Sequence, residues 1–226
     1  MRGVPGERTT VQSFADIARL DSPHLEQLAL AISVELRPTD CDLALAELDR
    51  LAELVMREGI GGDPIEQLAV LGEVLGRREG LVGDVEDYDN PDNSMLDLVL
   101  TRRRGLPILL SVVWVEVGRR LGLPLRGVGL PGHYVAGWFG EGDPILVDPF
   151  RGGALIAEAV PPAAAVPTSP HLTALRMCSN LVASYERRGD IGRMLIAARL
   201  RLTLPLDERD RRVMEFEFKR LSATTN

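Results

Sequence analysis

Residues 105–118 read GLPILLSVVWVEVG, an apolar run interrupted only by Ser111 and Glu116. Gly105 and Pro107 set up a helix start, since proline suits the first helical turn. Gly122, with Pro124 beyond it, ends the helix. A helix that is apolar on most of its sides has to be buried. The rest of the chain must therefore supply a core around this segment.

The flanking patterns suggest how. Ser13, with Asp16 three residues on, caps a first helix, and Asp21 or Ser22 caps a second in which Leu25, Leu28, Ala29, Ile32 and Leu36 recur at helical spacing. A third is predicted from about Asp40 to Glu58, burying Leu45, Leu48, Leu51, Ala52 and Val55, and is stopped by Gly59, Gly61 and Gly62. Asp63 and Glu66 form a capping box ahead of Leu68, Leu71 and Leu75. An acidic, turn-rich stretch, GLVGDVEDYDNPDNSM, precedes a short helix over about 94–102 with Met95, Leu96, Val99 and Leu100 as its apolar face. After the buried helix come three β-like runs: 125–130, 133–139 and 145–147. Pro131-Gly132 and a glycine-rich turn separate them, and the last two read as a hairpin. Residues 153–170 are rich in Ala and Pro, a linker or an extended wrap. The remainder is a helical pair broken at Gly189-Asp190, then a helix after Pro205. The expectation is an α+β chain. Residues 1–80 form a helical subdomain, 81–160 a core with the buried helix on a small antiparallel sheet, and 161–226 a linker and helical-repeat-like tail.

Composition narrows the function. The chain has 226 residues and a formal net charge of −7, which argues against non-specific nucleic-acid binding because that needs phosphate neutralisation. The one tight basic run, Arg102 to Arg104, reads as a solvated helix end. Two cysteines, Cys41 and Cys178, make neither a disulfide framework nor metal-ligand spacing, and they suit a reducing cytoplasm. The N-terminus lacks an apolar signal core, and no apolar run reaches the roughly 18 residues of a membrane span. A soluble, cytoplasmic protein is expected, with no membrane role. No nucleotide-binding or metal motif is present, so no cofactor is expected.

Three features in order could carry chemistry: the Arg104-Gly105-Leu106-Pro107 helix start, His133 at the head of a strand, and Asp148 at the end of the next strand, before Pro149. A thiol at a helix N-terminus is favoured as thiolate, a histidine on a neighbouring strand can exchange its proton, and a carboxylate beyond can hold the imidazole in one tautomer. Each residue also has a plainer role. His133 could be satisfied by a loop carbonyl, Asp148 is a turn residue before proline, and Asn93-Ser94 could cap a helix.

The runs YDNPDNSMLDLVLTRRRG, RRRGLPILLSVVWVEVGRR, GLPGHYVAGW and ILVDPF together resemble the transglutaminase-like superfamily, and within it the SirB-type branch. RMCSNLVASYERRGD is similar to the tail of that branch. The resemblance covers about residues 85–215. It implies a papain/transglutaminase-like core, a helical N-terminal region and a tetratricopeptide-like tail. It further implies that His133 is the histidine of a catalytic triad and Asp148 its orienting aspartate. The cysteine of that triad stands two residues after the glycine, and here that position is Pro107. Ser111, one helical turn deeper, is a poor substitute, more readily explained as a hydroxyl bonded back to a helix carbonyl.

The reading is thus a non-catalytic transglutaminase-like protein with a binding or regulatory role. The alternative is a hydrolase or acyltransferase on peptide or amide bonds, using His133 and Asp148 with Ser111 or water as nucleophile. Arg104 and Asn93 are candidate ligand-binding residues, Arg104 through a ligand carboxylate or the acidic loop at Asp87, Asp89 and Asp92. The helical tail is the candidate surface for a protein partner.

Overall fold

The computed structural model describes residues 12–156, 160–161 and 164–223. The first 11 residues lie outside the described residues, as does Pro162 of the Ala- and Pro-rich segment. Ser13 Oγ accepts the N–H of Asp16 and opens α1 (Phe14–Ile17). Helix α2 (Leu25–Leu36) starts later than a cap at Asp21 or Ser22 would place it. The N–H groups of Leu25 and Glu26 go instead to Glu116 Oε1, at 2.9 and 3.3 Å. A distant carboxylate satisfies donors that a local cap usually takes, and no local pattern announces that.

Helix α3 (Cys41–Glu58) is capped by Asp40 and closes on Gly59, whose φ of 83° suits glycine. It buries Ala44, Leu48, Leu51, Ala52 and Val55, while Leu45 is only partly covered. Asp63 Oδ1 accepts the N–H groups of Ile65 and Glu66 to start α4 (Pro64–Leu71). The chain then widens into a π-helical segment, Gly72–Arg78, which the sequence pattern did not announce. It lies where two backbones meet: a Cβ added to Gly76 would stand 2.3 Å from the carbonyl oxygen of Gly152.

Strand β1 (Val82–Gly83) pairs in parallel with β2 (Arg104–Gly105), closing the acidic stretch into a loop. Between them lie a 3-10 turn, Pro91–Ser94, and α5 (Leu96–Arg102), with Met95, Leu96, Val99 and Leu100 buried as their spacing predicts. Helix α6 (Pro107–Arg120) has every residue from Pro107 to Gly118 buried. It packs on α2, α3 and the sheet formed by β3 (Leu125–Leu130), β4 (His133–Trp138), β5 (Ile145–Asp148) and β6 (Ala154–Leu155). The sheet is antiparallel throughout, in the order β3-β4-β5-β6.

The described part of the Ala- and Pro-rich segment is a wrap. Ala165 joins Val128, Val135 and Leu146 in a second, smaller apolar cluster on the sheet. Thr168 donates its N–H to Gly127 O at 2.8 Å, and its hydroxyl oxygen accepts from Gly129 N at 2.9 Å. Helices α7 (Pro170–Arg188) and α8 (Ile191–Thr203) form the expected pair about Gly189, and α9 (Glu208–Ala223) packs on α8. Helix α7 packs on α2 and on the Pro91–Ser94 turn. One apolar cluster runs from Phe14 through α6 to Leu221, so the apolar stripe of the tail is part of the core. Among the described residues no helix is long and apolar enough to cross a membrane.

Candidate functional site

Asp148 is placed by its own turn. Its Oδ1 accepts the N–H of Phe150 at 3.0 Å, the bond an aspartate makes two residues ahead in an Asx turn, and Pro149 fixes the bend. That leaves Oδ2 free to meet Nε2 of His133 at 3.0 Å. Asp148 is buried, whereas the His133 side chain keeps 32% of its surface exposed, so the imidazole can be reached from solvent. Nδ1 of His133 has no hydrogen-bond partner among the described residues. Such a ring, held at one nitrogen by a carboxylate, can accept a proton or bind a polar group at the other.

The sheet opens where this pair sits. Pairing between β4 and β5 runs from Trp138–Ile145 to Ala136–Val147 and stops, so the first three residues of β4 are free of β5. The N-terminal turns of α6 meet this opening: Ser111 Oγ lies 3.4 Å from the carbonyl oxygen of Tyr134. The same hydroxyl donates to Pro107 O at 2.8 Å, and Ser111 is completely buried. Pro107 is also buried, at the tip of the helix, and offers neither a nucleophile nor an N–H. The structure thus brings His133 and Asp148 together, with Ser111 turned into its helix.

Neither thiol takes over. Cys178 is completely buried, and burial pushes its thiol up to about 12. Cys41 is raised as well, by burial and then by the charges of Asp97, Asp42 and Asp40. A nucleophilic cysteine needs the opposite environment.

Asn93 is buried and spent within the protein. Its Nδ2 donates to Asp87 O at 2.8 Å, its Oδ1 accepts from Arg102 at 3.0 Å, and its carbonyl takes the N–H of Leu106 at 2.9 Å. The local capping role falls to Asn90, which accepts from Asp92 N. The basic run is not a uniformly solvated helix end. Arg102 pairs with Asp84 at 3.3 Å and Arg103 with Glu79 at 3.2 Å, and Arg104 alone is exposed with no partner among the described residues. The acidic loop is held not by Arg104 but by Arg187 and Arg188 at the end of α7.

Several residues around the pair were not singled out from sequence. Phe150 stands edge-on to the imidazole at 6.3 Å between centroids, and Tyr88 stands edge-on to Phe150 at 6.0 Å. Arg176, on α7, donates to the carbonyl of His133 at 2.9 Å and lies 5.2 Å from the Tyr134 ring centroid. The Tyr134 hydroxyl in turn meets Thr173 Oγ1 at 2.7 Å, and burial raises that phenol above its ordinary range. Gly127 leaves the room, since a Cβ there would stand 2.2 Å from the hydroxyl. Phe150 and Tyr88 lie inside the VDPF and YDNPDNS runs. The only sequence signal for Arg176 is a charge on a helix whose buried positions are mostly apolar, with Thr173 and Ser184 the exceptions.

A family model described as the transglutaminase-like superfamily matches residues 42–195, from α3 into α8 and across the whole site. The chain belongs to the transglutaminase-like superfamily. Among its curated relatives, a UPF0162 protein of Vibrio cholerae is 33% identical over 138 residues, 58% of this chain and 50% of that protein. One from Pseudomonas aeruginosa is 37% identical over 128 residues, 55% and 46% of the two chains. F-box only protein 21 of Mus musculus is 43% identical over 56 residues, 25% of this chain and 9% of that protein. The aligned part spans half or less of each of these relatives. No solved structure matches. Within this transglutaminase-like chain, the residue at the α6 tip is proline.

Proposed function

We propose that this is a transglutaminase-like protein of the SirB-type branch in which the His133–Asp148 pair serves binding rather than covalent catalysis. One observation carries the reading: the part-exposed imidazole is held at Nε2 by Asp148 with no partner at Nδ1 among the described residues, while the residue at the α6 tip is Pro107 and the Ser111 hydroxyl bonds back into its helix. Without a nucleophile, the proton exchange that an oriented histidine supports has no acyl-enzyme to form. The free Nδ1 suits a polar group of a bound peptide or amide. The role is regulatory, exercised in a reducing compartment where two unpaired cysteines persist. In this reading α7 and α8 are a tetratricopeptide-like pair. A protein partner at the tail meets the outer side of α8 and α9, where Ile196, Val213 and Phe216 are exposed.

The test is the native protein beside Pro107→Cys. The native protein is expected to show no amidase, peptidase or acyl-transfer turnover. Pro107→Cys is expected to acquire a thiol that iodoacetamide labels faster than Cys41, and Pro107→Cys with His133→Ala to lose that advantage. Turnover by the native protein that disappears in His133→Ala would establish the hydrolase reading instead.

A further inference from the structure

We propose that residues 85–90 form a lid at the edge of the His133 site, latched by the C-terminal end of α7. The proposal rests on the site being one that takes a ligand, although the lid can be tested without one.

The base and the tip of this segment are held differently. At the base, Asp84 is buried, accepts the N–H of Asp87 at 3.1 Å and pairs with Arg102. The Asn93 side chain, completely buried, donates to Asp87 O. These are anchors that water does not readily replace. At the tip, Arg188 pairs with Asp87 at 2.6 Å and Arg187 with Asp89, and all four side chains are between 42% and 52% exposed. Exposed pairs of this kind hold little and are screened by salt. Asp87 is thus pinned by its backbone, and the span from Tyr88 to Asn90, held by these exposed pairs and by Arg188 Nε on Asp89 O at 3.3 Å, is the part that opens.

What the tip covers is Phe150, at the flank of the site, while the imidazole itself stays part-exposed. Tyr88 stands against Phe150, and Phe150 against the imidazole of His133, so lifting Tyr88 uncovers one flank of that stack. Tyr88 and Val85 are 47% and 76% exposed, an apolar rim ready to meet an entering ligand. The latch and the histidine also share one helix. Arg187 and Arg188 are at the end of α7, and Arg176 of the same helix donates to the His133 carbonyl. A partner that shifts α7 would move both walls together.

The experiment uses the full chain and Arg187→Ala/Arg188→Ala. It follows amide hydrogen exchange over 85–90 and the rate at which diethyl pyrocarbonate modifies His133, with His24 and His171 as internal references. The expected result is a rise of about 2- to 30-fold at His133 and in the 85–90 amides, the ratio two exposed ion pairs can hold. Molar salt should produce the same rise in the native protein. Reversing both sides of the latch, Arg187→Asp/Arg188→Asp with Asp87→Arg/Asp89→Arg, should return it to the native rate. Unchanged rates in the double alanine variant overturn the proposal. So does a uniform rise at all three histidines and throughout the helices, which would mean general loosening. A lid that behaves as expected while Pro107→Cys stays unreactive sinks the ligand-site reading and leaves the lid standing.

Discussion

Ser111 and Pro107 are joined by a hydrogen bond of 2.8 Å, from the serine hydroxyl to the proline carbonyl one turn earlier in α6. The bond accounts for the hydroxyl within the helix itself, as serine commonly does when buried there. Ser111→Ala is accordingly expected to leave any ligand binding unchanged and to cost no more than about 1 kcal/mol, since the Pro107 carbonyl can still accept from the helix backbone. Urea unfolding and binding of the same ligand by both proteins would check it. Loss of a turnover in Ser111→Ala would assign the hydroxyl a chemical role.

Two carboxylates give stability slopes of opposite sign. Burial, and then the charge of Glu116, raise the folded-state pKa of Glu26 above its ordinary 4.5. Its contribution is complete below about 4.5 and is lost as pH rises through the raised value. Asp84 is lowered from 3.8, chiefly by the N–H of Asp87, so its contribution is present above that value and is lost as pH falls through the lowered one. Denaturation midpoints from pH 3 to pH 8 should therefore show Glu26→Gln becoming less harmful as pH rises above about 4.5, and Asp84→Asn becoming less harmful as pH falls below about 4.

Both thiols should be slow. With Cys178 pushed up to about 12 and Cys41 raised as well, a disulfide reagent at pH 8 is expected to modify Cys41 slowly and Cys178 only on unfolding. Rapid labelling of Cys178 in the folded protein would contradict the packing of α7 against the core.

Arg201 is buried on α8; among the described residues Glu217 of α9, at 2.9 Å, is its one ionic partner, and its Nε and Nη2 have no hydrogen-bond partner. Removing that partner leaves a guanidinium in the interior. Glu217→Ala should cost about 1–3 kcal/mol, below the full cost for a deeply buried pair because Glu217 itself is partly exposed. Arg201→Met, which removes the charge along with its need, should cost less. Chemical denaturation of the two variants decides the order.

What was legible in the sequence was local. Apolar spacing and capping residues place α3, α5, α6 and the α7–α8 pair within a residue or two, because periodicity and caps act over one or two turns. VDPF already holds the geometry of Asp148, since an aspartate before proline bonds its own turn and keeps one oxygen spare. The start of α2 was not legible, because Glu116 supplies its cap from another helix. Nor was the π-helical widening at Gly72–Arg78, which meets the Gly152 backbone, or the pairing of Arg102 and Arg103. The sequence by itself determined that a helix would be buried whole, that its tip would carry proline, and that a histidine and an aspartate would stand at the heads and ends of adjoining strands. Only the tertiary structure decided that β4 and β5 part where these two meet, that α7 grips both the histidine strand and the acidic loop, and that the tail belongs to the core. Those outcomes depend on contacts between residues tens of positions apart, and such contacts are settled by packing.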